Sequence, residues 1–133
     1  MKEFTVRTTR HTEFVDIQGQ IGKTLQEIGL KSGIVMVFCP HTTAGITINE
    51  NADPDVVRDI QLELEKMVPL RDPEYCHSEG NSAAHIKSSL IGSSVLVPVE
   101  NGRMCLGTWQ GIYFCEFDGP RQRKVWVQVM GNV

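Results

Sequence analysis

The period of the apolar positions changes several times along this chain, and each change marks an element. Phe4-Thr5-Val6-Arg7-Thr8 and Thr12-Glu13-Phe14-Val15-Asp16-Ile17 alternate or cluster β-formers around a turn-like Thr9-Arg10-His11, which predicts two opening strands. Ile17, Ile21, Leu25 and Ile28 then recur at helical spacing, with Gly29 and Gly33 bracketing the exit. Ile34-Val35-Met36-Val37-Phe38 is a continuous apolar run of the kind a fully buried strand shows. A second helix has the clearest boundaries. Asp53 is a good N-cap, Pro54 suits the first helical position, and Val56, Val57, Ile60, Leu64, Met67 and Val68 form one apolar face that must end before Pro69.

After a long polar connection from Pro69 to Asn81, Asn81 is placed to cap a short helix through Ala83, Ala84, Ile86, Lys87 and Leu90, closed by Gly92. The remainder reads as strands: Ser94 to Val99, Arg103 to Gly107, Ile112 to Phe117 and Lys124 to Met130. Asn101-Gly102 between apolar runs is a strong hairpin signal, and Pro98 places its strand at an edge or a bulge. The expectation is one α+β domain over residues 1–133, β-rich, with mixed or antiparallel sheets packed as a sandwich and about three helices.

Between the buried run and the second helix lies Pro40-His41-Thr42-Thr43-Ala44-Gly45-Ile46-Thr47-Ile48-Asn49-Glu50, the densest chemistry in the chain. As a strand, its period of two would put His41, Thr43, Gly45, Thr47 and Asn49 on one face and Ala44, Ile46 and Ile48 on the other. Threonines suit any half-buried strand, so the order of types, not the threonines alone, marks this run.

Composition narrows the function classes. A net charge of −3 argues against a protein whose main task is nucleic-acid binding, since neutralising phosphates needs a basic face. No stretch approaches the ~20 apolar residues that span a bilayer, which predicts a soluble, cytoplasmic protein without a membrane role. Cys39, Cys76, Cys105 and Cys115 are widely spaced with no C-x-x-C; Cys39, Cys105 and Cys115 fall in apolar runs and read as small buried thiols.

His41, His77 and His85 fall at a strand end, in the long loop and on the short helix, places that can converge. Three imidazoles with an open position are the arrangement of catalytic zinc sites, yet this spacing is neither H-E-x-x-H nor a finger pattern, so spacing alone does not decide. Glu50, Asn49, Glu79 and Asn81 are nearby candidates for a general base, anchors or extra ligands; Asn81 also suits a helix cap and Glu79 a solvated loop. Arg121 and Arg123, two apart after Asp118-Gly119-Pro120, would present two guanidinium forks to one phosphate if both lay on a strand. Trp109 and Gln110, flanked by glycines, suit a pocket wall for a flat ligand or an interface plug.

Taken together, His41-Thr-Thr-Ala44 with Asn49-Glu50, His77 to His85 around Glu79, Gly80 and Asn81, Asn101-Gly102-Arg103, Leu106-Gly107-Thr108-Trp109-Gln110 and Asp118-Gly119-Pro120-Arg121-x-Arg123 resemble the YjbQ-like family, small proteins labelled secondary thiamine-phosphate synthase enzymes. The resemblance runs nearly end to end. It implies a sandwich or jelly-roll fold, a homotrimer and a divalent metal, zinc in preference to magnesium, on His41, His77 and His85. It further implies Glu50, Asn49, Gln110, Arg121 and Arg123 as catalytic positions, with Thr42, Thr43 and Trp109 beside a bound cofactor or ligand. The activity implied joins a pyrimidine diphosphate to a thiazole phosphate. A zinc-dependent hydrolase of a small phosphate or carboxylate ester, with Glu50 as base, and a non-catalytic trimeric metal- or metabolite-binding protein are the alternatives.

Overall fold

Hydrogen-bonded strands hold more of the chain than helices do in the computed structural model, which describes residues 1–133. The elements are β1 (Lys2–Arg7), β2 (Glu13–Asp16), α1 (Gln18–Ile28), β3 (Ser32–Phe38), β4 (Ala44–Glu50), α2 (Pro54–Met67), α3 (Ser82–Ile91), β5 (Ser94–Glu100), β6 (Arg103–Met104), β7 (Gln110–Glu116) and β8 (Gln122–Asn132). They form one α+β domain with two antiparallel sheets, ordered β1-β8-β3-β5-β6 and β2-β7-β4.

The inner faces of the two sheets meet in a core built from Val35 and Val37 of β3, Val97 and Val99 of β5, Val125 and Val127 of β8, and Ala44, Ile46, Ile112 and Phe114 of the smaller sheet. The helix α1 closes one end by adding Ile17, Ile21 and Leu25. These are the positions that a strict period of two, or a helical stripe, assigns to one face. The helices α2 and α3 cover the other face of the three-stranded sheet, where Leu64 and Ala84 pack on Tyr113, Cys115 and Phe117. The outer face of the five-stranded sheet carries no helix. Ile34, Met36, Phe38, Leu96, Pro98, Trp126 and Met130 lie on it in register.

Several boundaries differ from the sequence expectation for identifiable reasons. The strand after the Asn101-Gly102 turn is two residues long, so Cys105 leaves the sheet and is exposed, while Cys39 and Cys115 are buried as expected; all four thiols are free. Pro98 causes no break because only the short β6 flanks β5 beyond it. Met67 is exposed and off the α2 face, as are Ile86 and Leu90 on α3, where Lys87 is buried instead through an ion pair with Glu65 of α2. Asp53 caps α2 as expected, accepting from the Asp55 amide at 2.9 Å. Asn81 occupies the N-cap position of α3 without a side-chain cap hydrogen bond; its Nδ2 donates to Asp118 while Oδ1 accepts from no first-turn amide.

Candidate functional site

Three segments converge at the end of the sandwich where β4 begins: the Pro40–Thr43 stretch, the loop and first turn around α3, and the turn leading into β8. They enclose a cavity of about 470 Å³ lined by no hydrophobic residue, with His41, His77, His85, Asp118, Arg121 and Arg123 among its walls. Thr42, Thr43, Glu79 and Asn81 also line it. Histidines from three separate elements are thus brought to one place, which their sequence spacing left open.

His41 is the most constrained of the three. Its Nε2 accepts the Lys124 backbone N–H at 2.9 Å, so the neutral ring carries its proton on Nδ1. Burial, then the neighbouring Arg123 guanidinium, push its pKa below the usual histidine value, which keeps the ring neutral. His77 and His85 stand edge to face with ring centroids 5.3 Å apart, and the His77 Nε2 lies 4.0 Å from Glu79.

The arginines do not form the pair of forks that their spacing predicts. Strand β8 starts at Gln122, so Arg121 lies in the turn, and the same-face rule does not link it to Arg123. Arg121 donates from Nε to the Asp118 carbonyl and from Nη2 to the Asp118 carboxylate, both at 2.9 Å, while its side chain stays 50% exposed. Arg123 points into the sandwich with 3% side-chain exposure. Its Nε donates to Glu116 Oε1 at 2.8 Å, and its Nη2 donates to Glu116 Oε2 and, at 2.8 Å, to Thr43 Oγ1. Glu116 is fully buried and also accepts from the Thr8 hydroxyl and the Asp118 amide. Burial alone would raise its pKa, but the Arg123 fork and these donors outweigh it and hold the carboxyl below its usual range. A bidentate buried pair therefore ties the two sheets together behind the cavity, and Arg121 is left as the exposed cation at its mouth.

Glu50, Asn49, Trp109 and Gln110 lie elsewhere. Glu50 pairs with Gln110 and Ala44 with Glu116 along the β4–β7 ladder, so these four stand at the opposite end of a strand about 20 Å long. Their polar groups have local tasks. Glu50 Oε2 accepts the Asp53 amide at 3.2 Å, Asn49 Oδ1 accepts the Glu50 amide, and Gln110 Oε1 accepts the Gly107 amide at 2.7 Å. A general base or a ligand wall at these positions does not share a cavity with the histidines in one chain. His11 is exposed in the first turn, with Nδ1 3.4 Å from the Gly119 carbonyl.

Sequence reasoning missed Glu116 and Asp118. The first was legible: Ile112, Phe114 and Glu116 alternate inward, as do Arg123, Val125 and Val127, so a charge ends each inward row. Asp118 gave no signal beyond its turn. It accepts from both Arg121 and Asn81 Nδ2, the latter at 2.9 Å, and leaves Asn81 Oδ1 as a buried acceptor with no partner.

Imidazole and carboxylate donors suit a borderline divalent metal in type. In placement, His77 and His85 fit because neither is tied to the backbone as His41 is. His41 does not fit in this pose, since a neutral imidazole has one lone pair and Lys124 takes it. No three His, Cys, Asp or Glu side chains converge closely enough to close a coordination sphere.

An antiparallel sandwich backed by two helices, with a polar histidine–arginine cavity at one end, defines a small single-domain α+β protein with a built polar site. The model of the UPF0047 protein YjbQ-like family matches residues 2–132, and the chain belongs to that family. It is 53% identical over 131 residues to UPF0047 protein YugU of Bacillus subtilis, covering 98% of this chain and 99% of that one. It is 48% identical to UPF0047 protein MJ1081 of Methanocaldococcus jannaschii, covering 98% and 94%. A crystal structure of a YjbQ/UPF0047-family protein from Clostridium acetobutylicum superposes with a TM-score of 0.95 at 55% identity, covering 98% of this chain and all of that one. The conserved hypothetical protein TT1486 of Thermus thermophilus superposes at 0.92 with 41% identity, covering 98% and 100%.

Proposed function

We propose that the chain is an enzyme acting on a small phosphorylated metabolite bound in the histidine–arginine cavity. The observation that carries this reading is the cavity itself: about 470 Å³, no apolar wall, three imidazoles, and Arg121 exposed at its mouth. Phosphate oxygens match the free edge of an arginine fork, and the imidazoles at the other wall offer ring nitrogens as hydrogen-bonding groups. Within this class, joining a pyrimidine diphosphate to a thiazole phosphate is the reaction that the family resemblance supplies, and pyrophosphate would leave beside Arg121. Within one chain Glu50, the base of the hydrolase alternative, stands at the far end of β4 from the histidines, so the cavity of a single chain favours the first reading.

A divalent metal belongs to this proposal only through the two imidazoles of His77 and His85, since no third His, Cys, Asp or Glu side chain of the chain converges with them, and zinc suits imidazole better than magnesium. When bound it would supply Lewis acidity at a phosphoryl oxygen. His41, kept neutral by burial and the Arg123 guanidinium and with Nε2 occupied by the Lys124 amide, presents an N–H rather than a ligand lone pair.

Copies of the chain are further proposed to associate as a homotrimer. The bare outer face of the five-stranded sheet favours association, since Leu96 and Met130 are 64% and 77% exposed on it. The number three comes from the resemblance alone.

Isothermal titration with pyrophosphate and with thiamine phosphate tests the central reading. Binding that Arg121→Ala weakens on the order of tenfold supports it, and no binding of either compound, with or without zinc, overturns it.

A further inference from the structure

A second cavity of about 490 Å³ adjoins the first and shares His41, Thr42 and His85 with it. Its other walls are hydroxyl-rich: Ser88, Ser89 and Ser93, with Ala44 its one hydrophobic residue. Serines on a helix commonly return their protons to the preceding turn, and here that habit fixes the chemistry of the wall. Ser88 donates its hydroxyl proton to the Thr42 carbonyl at 2.6 Å, with the His85 carbonyl a further 3.1 Å contact, and Ser89 donates to the His85 carbonyl at 2.9 Å. One hydroxyl has one proton. With those protons spent inside the protein, Ser88 Oγ and Ser89 Oγ can only accept from anything that enters the cavity.

We propose that this cavity is the specificity subsite for the far end of the phosphorylated ligand, and that it selects a group that donates hydrogen bonds, a hydroxyl or an amine. The substrate class is then a phosphate ester whose far end carries a hydroxyl or an amine, an amino group on a ring included, with the phosphate beside Arg121 and the donor end against Ser88 and Ser89. An alkyl end would leave both serine oxygens without donors, so it is rejected by the cost of unpaired polar groups, not by size. The first cavity alone exceeds what a phosphate group fills, which agrees with a ligand extending past His85.

This inference rests on the anion-site reading of the first cavity, and the test separates the two. Affinity is measured by titration calorimetry for propyl phosphate, glycerol 3-phosphate and phosphoethanolamine, on the full-length protein and on Arg121→Ala, Ser88→Ala and Ser89→Ala. The expected result is that both donor-bearing esters bind roughly tenfold or more tightly than propyl phosphate. Each serine variant should remove about fivefold of that preference, and Arg121→Ala should weaken all three esters alike. Ser88 also joins α3 to the Thr42 carbonyl, so the exposed Ser89 keeps the test decisive if Ser88→Ala folds poorly. Equal affinity for the three esters, or an unchanged preference in Ser89→Ala and folded Ser88→Ala, overturns the subsite while leaving the anion site standing. Absence of binding by any ester overturns both.

Discussion

At the scale of single residues, the decisive feature is that the two most buried charges of the site neutralise one another. Glu116 and Arg123 sit where inward-facing rows of apolar residues end, and together with Thr8 and Thr43 they satisfy each other's hydrogen bonds. Removing one partner leaves the other charged, dry and unpaired, so Arg123→Met should cost about 3 to 5 kcal/mol in denaturant unfolding. Arg121→Met, at an exposed pair, should cost under about 1 kcal/mol. If the two variants lose equally little, the buried pair is not what joins the sheets. The same groups set the acid response. The folded pKa values of both His41 and Glu116 are lowered, so each stabilises the fold above its ordinary value and loses that contribution as pH falls through the folded one. Melting temperature should therefore decline in two stages, one beginning below pH 6.5 and one below pH 4.5, and His41→Gln should abolish the first. The thiols divide just as sharply. Burial pushes Cys39 up to about 11 and raises Cys115 well above the ordinary thiol value, whereas Cys76 and Cys105 are exposed. A thiol reagent at pH 8 should thus titrate two cysteines in the native protein and the other two only on unfolding. Fast reaction of all four would contradict the burial.

At the scale of elements, the site depends on how closely α3 is set against β4. A Cβ on Gly45 would stand 2.6 Å from the Gly92 carbonyl oxygen, at the end of the helix that carries His85, and the Ile46 amide donates to that same carbonyl. Gly45→Ala must therefore push α3 outward, with an expected cost of about 1 to 3 kcal/mol and weakened binding of phosphate esters. Gly22, inside α1 with open space around its would-be Cβ, supplies the control: Gly22→Ala should stabilise by about 0.5 to 1 kcal/mol. Chemical denaturation of the two variants checks the contrast in sign. Elements of this kind were largely legible in the sequence. Asp53-Pro54 announced α2, Asn101-Gly102 announced its hairpin, and the period-two sorting of Ala44, Ile46 and Ile48 matches the face that packs into the core. The site was legible only in part. Local pattern locates His41, His77 and His85 on their elements, but nothing local says which end of β4 faces them. Glu50 and Gln110 were adjacent to the histidine stretch in sequence or motif, yet a strand carries its ends about 20 Å apart. Local pattern did not show that Arg121 lies outside the strand while Arg123 points inward, because the start of β8 is a boundary that the Gly119-Pro120 turn obscures.

At the scale of the whole molecule, the layers are unequal. Helices cover one face of the small sheet, the two sheets cover each other, and the outer face of the large sheet is left with Ile34, Met36, Phe38, Leu96, Trp126 and Met130 in adjacent registers. Phe38 and Trp126 already stack at 5.8 Å, and Trp126 donates its indole proton to Glu3, so one border of the patch is closed by a polar contact while Leu96 and Met130 remain open. No helix in the chain is long and apolar enough to cross a membrane, so burial in a bilayer through a helical span does not account for this face. In the homotrimer proposed above this face would lie against a different surface of a neighbouring copy, since two identical faces meeting directly would close as a dimer. Light scattering at micromolar concentration should then report about three times the 14.9 kDa chain mass. Placing a charge in the centre of the face should break the assembly without unfolding the subunit, since residues pointing out of the sheet are absent from both cores. The expected outcome for Leu96→Glu, alone and with Met130→Lys, is a shift toward monomer with the far-ultraviolet spectrum unchanged. A wild-type monomer at that concentration would remove the trimer proposal. An intact trimer in the doubly charged variant would move the interface to another surface of the molecule.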